Sequence, residues 1–306
     1  MKLLVAYDGS EFSDAAIVDL RRAGLPAAAE ALVLSVTESQ SAAATPYVAI
    51  AAGLGGYPPA DQDSDGYELQ NTKAMATQAA ERLRADFPGW QISTETWIDS
   101  PAEAIVRKAY GWKPDLIIVG SHGHSGISRL VLGSVSQHVL HHTDCSVRIS
   151  RHHLHSQDRS IRLLIGVDDS NEAKTAIACI ASRNWPAGTE ARVVGVVDMQ
   201  SSLAVTVMAE GVIPGVLEEE VRKRLSKFAH EAVQQLTNAG LRASPQILAG
   251  RPAHALTKEA DDWSADCIFV GAKCHHGLER VLLGSVSNAV ASHAHCSVEI
   301  VRAHVE

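Results

Sequence analysis

Two fifteen-residue stretches of the chain repeat one arrangement of glycine, histidine and serine. They are Gly120–Ser134 (GSHGHSGISRLVLGS) and Gly271–Ser285 (GAKCHHGLERVLLGS). Each follows a short apolar run and precedes an amphipathic one, which is the order strand, glycine loop, helix N-terminus. Helix N-termini carry unpaired N–H groups and about half a positive charge, so this layout suits an anion, above all a phosphate chain. Gly120 and Gly123 are expected to turn the chain sharply, with positive φ and room for a ligand beside the backbone. Ser134 and Ser136 offer hydroxyls to phosphate oxygens, or Ser134 caps the helix. His122 lies in the loop, mostly uncharged at neutral pH, and neighbouring His124 and Arg129 are expected to add positive charge. No lysine follows Gly133, so this is not the G-x-x-x-x-G-K-[ST] loop. In the second copy Gly271, Gly284, Ser285 and Ser287 match. Cys274 stands where Gly123 does, Ala272 lacks the hydroxyl of Ser121, and Lys273 replaces His122. A side chain at a left-handed position would cost about 1–2 kcal/mol, so the second loop is expected to be weakened or empty.

The elements that must position these loops also repeat. Residues 116–150 match residues 267–301 at 17 of 35 positions, against roughly 2 by chance from average usage. Leu3–Ser10 parallels Leu163–Ser170, Leu32–Glu38 parallels Arg192–Asp198, and Ser100–Ile105 parallels Arg251–Leu256. In the first half the apolar runs predict strands at 2–7, 31–37, 91–97, 116–120 and 145–150. Helices are expected at 11–24, 67–87, 101–110 and 134–142. Strands alternating with helices imply parallel βαβ units. The chain therefore divides into domains at 1–150 and 161–306 joined by a polar link, 151–160, each domain a three-layer α/β unit with a five-stranded parallel sheet. Residues 45–66 read as a long loop, either a functional flap or a surface excursion.

With 306 residues, 46% apolar and 20% charged, the chain suits two globular domains. A net charge of -8 argues against nucleic acid, whose phosphates need clustered cations. No apolar run approaches a membrane span, and the first residues read as a strand rather than a leader. Five cysteines, odd in number and without framework spacing, point to the cytoplasm.

The pattern Gly-x2-Gly-x9-Gly-Ser, taken with Val5-Ala-Tyr-Asp-Gly-Ser10 and Gly133-Ser-Val-Ser136, resembles the universal stress protein family in its tandem two-domain form. That resemblance covers nearly the whole chain. It implies an adenine-nucleotide alpha-hydrolase-like fold, pairing of domains through their last strands (145–150 against 296–301), and a regulatory role in stress response. It implies ATP, often with a divalent ion such as Mg, held by Gly120, His122, Gly123, Gly133, Ser134, Val135 and Ser136. Ala6, Tyr7 and Asp8 then lie near adenosine, and Val36 lies against adenine. The corresponding second-site residues are Asp168, Val196, Gly271, Lys273, Gly284, Ser285 and Ser287. A homodimer of such chains and an unknown protein partner are also open.

Plainer roles stand beside these. Asp8 and Asp168 suit helix caps near Ser10 and Ser170. The histidine clusters (His141-His142, His152-His153-x-His155, Cys274-His275-His276, His293-x-His295) lack zinc spacing, so no metal site is assigned. Cys145 and Cys296 suit buried thiols. No catalytic residue is assigned. The leading expectation is an ATP-binding regulatory protein whose nucleotide orders 45–66 as a conformational signal. The rivals are a slow ATPase or nucleotidyl transferase, which has no evident general base here, and an interaction module without nucleotide.

Overall fold

The computed structural model describes residues 1–38, 62–123, 132–151, 159–198, 214–272 and 283–303. The first half runs β1 (Lys2–Ala6), α1 (Glu11–Leu20), β2 (Glu30–Thr37), α2 (Gln62–Asp86), β3 (Gln91–Ile98), α3 (Pro101–Trp112), β4 (Leu116–Gly120), α4 (Ser134–His142) and β5 (Ser146–Ser150). The second half repeats it as β6 (Arg162–Val167), α5 (Asn171–Ala181), β7 (Glu190–Val197), α6 (Pro214–Asn238), β8 (Arg242–Ala249), α7 (Pro252–Asp262), β9 (Cys267–Gly271), α8 (Ser285–His293) and β10 (Ser297–Val301).

All ten strands form one sheet in the order β3-β2-β1-β4-β5-β10-β9-β6-β7-β8. Within each half every pairing is parallel. The halves meet where β5 and β10 run antiparallel, with Val147 opposite Ile300, Arg148 opposite Glu299 and Ile149 opposite Val298. The central strands are apolar on both faces because helices cover both. Leu3, Leu4, Val5, Ile117 and Ile118 are fully buried, as parallel strands require.

The two faces of the seam differ. On one face a single apolar core runs through both halves, under α3, α4, α7 and α8, and includes Val147, Ile149, Val298 and Ile300. On the other, the core beneath α1 and α2 is separate from the core beneath α5 and α6. The strand alternation that sends Val147 and Ile149 to the continuous face sends Arg148 to the divided one.

Helix α2 begins at Gln62, so the last residues of the expected 45–66 loop are helical, and the rest of that segment lies outside the described residues. Helix α1 stops at Leu20 rather than continuing to 24, its end turned by Gly24 at φ +62°. Arg151, grouped by sequence with the polar link, is buried and bonded to the second half.

Candidate functional site

The loops of interest sit beyond the carboxyl ends of the strands, where ligands bind in open α/β sheets. At the end of β1, Asp8 Oδ1 accepts from the Ser10 N–H (3.0 Å) and the Ser10 hydroxyl (2.6 Å). Ser10 in turn caps α1, its Oγ accepting from the Ser13 N–H at 3.2 Å. Asp168 and Ser170 reproduce this in the second half, where the Ser170 hydroxyl reaches Asp168 Oδ1 at 2.5 Å. The aspartates thus brace the serine caps through one carboxylate oxygen.

The helices after the glycine loops start differently. Gly133 is the N-cap of α4 (φ -61°, ψ 150°), with no side-chain cap bond. Gly284 plays the same part for α8 (φ -60°, ψ 148°). Ser134 is therefore the first helical residue and not the cap. The first intrahelical bond is Gln137 N–H to Gly133 O at 2.9 Å, so the N–H groups of Ser134, Val135 and Ser136 precede the helical ladder.

The glycines are required by closeness, not by positive φ. A Cβ at Gly120 would lie 2.9 Å from the Phe12 backbone, one at Gly133 3.2 Å from Ser121 O, and one at Gly123 3.0 Å from Asp8 Oδ2. None of the three has a positive φ; in this neighbourhood that belongs to Gly9, at +78°. Its counterpart Asp169 holds φ 61° with a side chain, a conformation Asp tolerates better than most. The left-handed cost expected for Cys274 therefore has no counterpart at Gly123. Crowding of the aspartate carboxylate replaces it as the argument, and Cys274 and Lys273 themselves lie outside the described residues, as do His124 and Arg129.

Ser136 is buried and donates its hydroxyl to Gly120 O at 2.6 Å, and Ser287 does the same to Gly271 O at 2.8 Å. Each hydroxyl proton ties the helix start to the strand end, so these serines act as struts, and the hydroxyl left for a ligand is that of Ser134 or Ser285. Ser121 Oγ lies 3.1 Å from His122 Nδ1. The His122 ring packs 5.0 Å from that of Phe12, and its Nε2 is buried with no hydrogen-bond partner among the described residues. Ala272 cannot make the Ser121 bond.

Ala6 and Val36 pack on the α3–α4 face. Tyr7 instead enters the α1–α2 core, where its hydroxyl donates to Asp14 at 2.8 Å. Burial, aided by that carboxylate, pushes the phenol up to about 12. Only the Tyr7 backbone can serve the strand end. In the second half the equivalent face holds a cavity of about 290 Å³ reached by Asp168, Val196, Gly271, Gly284, Ser285 and Ser287. Six of the seven residues expected at the second site thus line one space.

Cys145 and Cys296 are half-buried rather than fully enclosed. Burial still pushes each thiol up to about 12. Among the described residues no three His, Cys, Asp or Glu side chains gather as a metal site. No described helix is long and apolar enough to cross a membrane.

The geometry defines a pair of α/β domains with glycine-capped helix N-termini over their strand ends. The model of the universal stress protein family matches residues 1–151 and again 161–302, and the chain belongs to that family. A universal stress protein of Methanocaldococcus jannaschii is 36% identical over 97 residues, spanning 31% of this chain and 55% of that protein. The chain's match thus covers about half the length of this relative. One from Mycobacterium bovis is 26% identical over 215 residues, 69% of each chain. The solved universal stress protein of Archaeoglobus fulgidus shares the fold over 98% of both chains, with 20% identity and a TM-score of 0.65.

Proposed function

We propose that the first half binds an adenine nucleotide, ATP with a divalent ion such as Mg, and that occupancy serves as a conformational signal in a stress response. The observation that carries this reading is the bare, glycine-capped N-terminus of α4 set against Ser121, His122 and Gly123. A phosphate chain would take the N–H groups of Ser134, Val135 and Ser136, with the helix dipole complementing its charge. His122 Nε2, buried with no hydrogen-bond partner among the described residues, supplies one further polar atom, which fits a ribose or phosphate oxygen. Ala6 and Val36 give an apolar wall for the base, and Asp8 closes the strand end. A universal stress protein has been solved in complex with cAMP, so cAMP is the natural competitor to try.

The second half has the cavity described above but differs in the loop, since Ala272 and Cys274 stand where Ser121 and Gly123 do. We assign it a weak site or none.

The test is the ATP- and Mg-dependent rise in melting temperature of the whole chain beside Gly133→Val. The wild type should gain several degrees at saturating ATP by mass action, and the variant none, because its Cβ presses on Ser121 O. No rise at millimolar ATP overturns the reading in favour of a nucleotide-free interaction module. ATP turnover above background, lost in Ser134→Ala, would replace it with the slow ATPase. The signal itself is read by limited proteolysis with and without ATP, and identical cleavage patterns refute it.

A further inference from the structure

The seam between the halves combines contacts that are the same from both sides with contacts that are not. Repeat-equivalent positions lie 151 residues apart here, so Val147 corresponds to Val298, Arg148 to Glu299 and Ile149 to Ile300. The strand register puts Arg148 opposite Glu299, with a Val–Ile pair on either side. The pseudo-twofold axis therefore passes through the Arg148–Glu299 pair.

Away from the axis the contacts are reciprocal. Arg151 donates to Ala291 O (2.5 Å) and Cys296 O (3.2 Å). Its counterpart Arg302 donates to Leu140 O (2.6 Å) and Cys145 O (2.8 Å). Each arginine thus satisfies one late carbonyl of the other half's last helix, where a cation also complements the dipole, and one carbonyl just before that half's last strand. Ser297 Oγ and Ser146 Oγ accept from the two arginine N–H groups at the same 3.1 Å. These bonds would form equally well between two copies of either half.

On the axis the symmetry is broken. Asp19 accepts from Arg148 Nε at 2.6 Å, and Arg148 reaches Glu299 Oε2 at 3.0 Å. Glu299 in turn accepts from Arg183, at 3.0 Å to one of its nitrogens. Charges alternate along this row, minus, plus, minus, plus, with no member more than 5% exposed. The first half contributes Asp19 and Arg148, and the second contributes Glu299 and Arg183. The repeat counterpart of Asp19 is Cys179 and that of Arg183 is Ala23, so neither half could supply the other's charges.

Pairing like with like would leave the apolar and arginine contacts intact and ruin the row. Two first halves would set Arg148 against Arg148, and two second halves Glu299 against Glu299, away from water. Like charges directly opposite on paired strands are unfavourable, and each would keep its own half's partner, Asp19 or Arg183, while losing the one across the seam. At the margin Arg22 of the first half meets Asp266 of the second at 3.0 Å. The repeat counterparts of this pair are Ser182 and Asp115, and neither is a cation.

We infer that the last-strand surfaces of this chain are charge-coded for each other, so that each half accepts only the opposite half and rejects a second copy of itself. The reciprocal arginines supply general adhesion, and the buried row supplies the choice.

A cut chain tests this. A protease site placed within residues 152–158 is cleaved after folding, the halves are unfolded in urea and refolded together, and native mass spectrometry counts the pairs. The expected product is the mixed pair, with each like pair at least tenfold rarer; like and mixed pairs in roughly statistical proportion overturn the inference. In the uncut chain, Glu299→Arg puts three cations in the row. X-ray scattering should then show a larger radius of gyration, with circular dichroism retaining both halves' secondary structure, while Glu299→Gln stays compact. A compact Glu299→Arg chain of unchanged stability also overturns it.

Discussion

The two strand-end regions of this molecule share a scaffold and differ in its loop. In both halves an aspartate braces a serine cap, a glycine opens a helix without a side-chain cap, and a serine strut ties that helix to the strand end. The differences include Ser121 against Ala272, His122 against Lys273, Gly123 against Cys274, Gly9 against Asp169, Ala6 against Gly166 and Tyr7 against Val167. The comparison separates two demands on one stretch of chain. The scaffold residues hold the backbone in place whether or not anything binds, so they persist in both copies. In the first half Ser121 to Gly123 lie beside the helix opening, where the Gly133 N–H donates to Ser121 O at 2.8 Å, and the second copy's sequence differs there.

The largest break in the comparison should come from moving the second loop's feature into the first. Gly123→Cys would bring a side chain onto Asp8 Oδ2, 3.0 Å from the Cβ position. ATP affinity should fall about 100-fold, or about 2.7 kcal/mol, measured by equilibrium dialysis. The reverse exchange, Ala272→Ser with Cys274→Gly, should strengthen ATP binding by the second half about tenfold, or about 1.4 kcal/mol, in the same assay. The scaffold serines should separate by role in urea unfolding. Ser10→Ala removes a bonded cap and should cost about 1 kcal/mol. Ser134→Ala, which is no cap, should cost under about 0.5 kcal/mol. In the opposite direction, Asp169→Gly relieves φ 61° and should stabilise the chain by up to about 1 kcal/mol, less the Arg224 pair it loses. A destabilised variant would mean that this turn is not strained.

Much of this architecture was legible in the sequence because fully apolar runs such as Leu116–Val119 have few alternatives in a chain of alternating strands and helices. The duplication also let each half check the other. What misled was the reason for the glycines. Sequence alone cannot distinguish a glycine needed for positive φ from one needed for close packing, and Gly120, Gly123 and Gly133 are of the second kind. The positive φ belongs instead to Gly9, where Asp8-Gly9-Ser10 is a plain turn signal. Tyr7 shows another limit, for strand alternation sends its ring to the far face from Val36. The buried row was illegible for a physical reason. An arginine between Val147 and Ile149 reads as the solvent-facing residue of an alternating strand, yet Asp19 of α1 together with Cys267 of β9 and Glu299 of β10 encloses it.

The central claim is that one chain offers one competent nucleotide site, in its first half. Calorimetric titration of ATP with Mg into the unmodified chain tests it most directly. The account predicts a stoichiometry of about one nucleotide per chain, and two equivalent sites, or no binding at millimolar ATP, would contradict it.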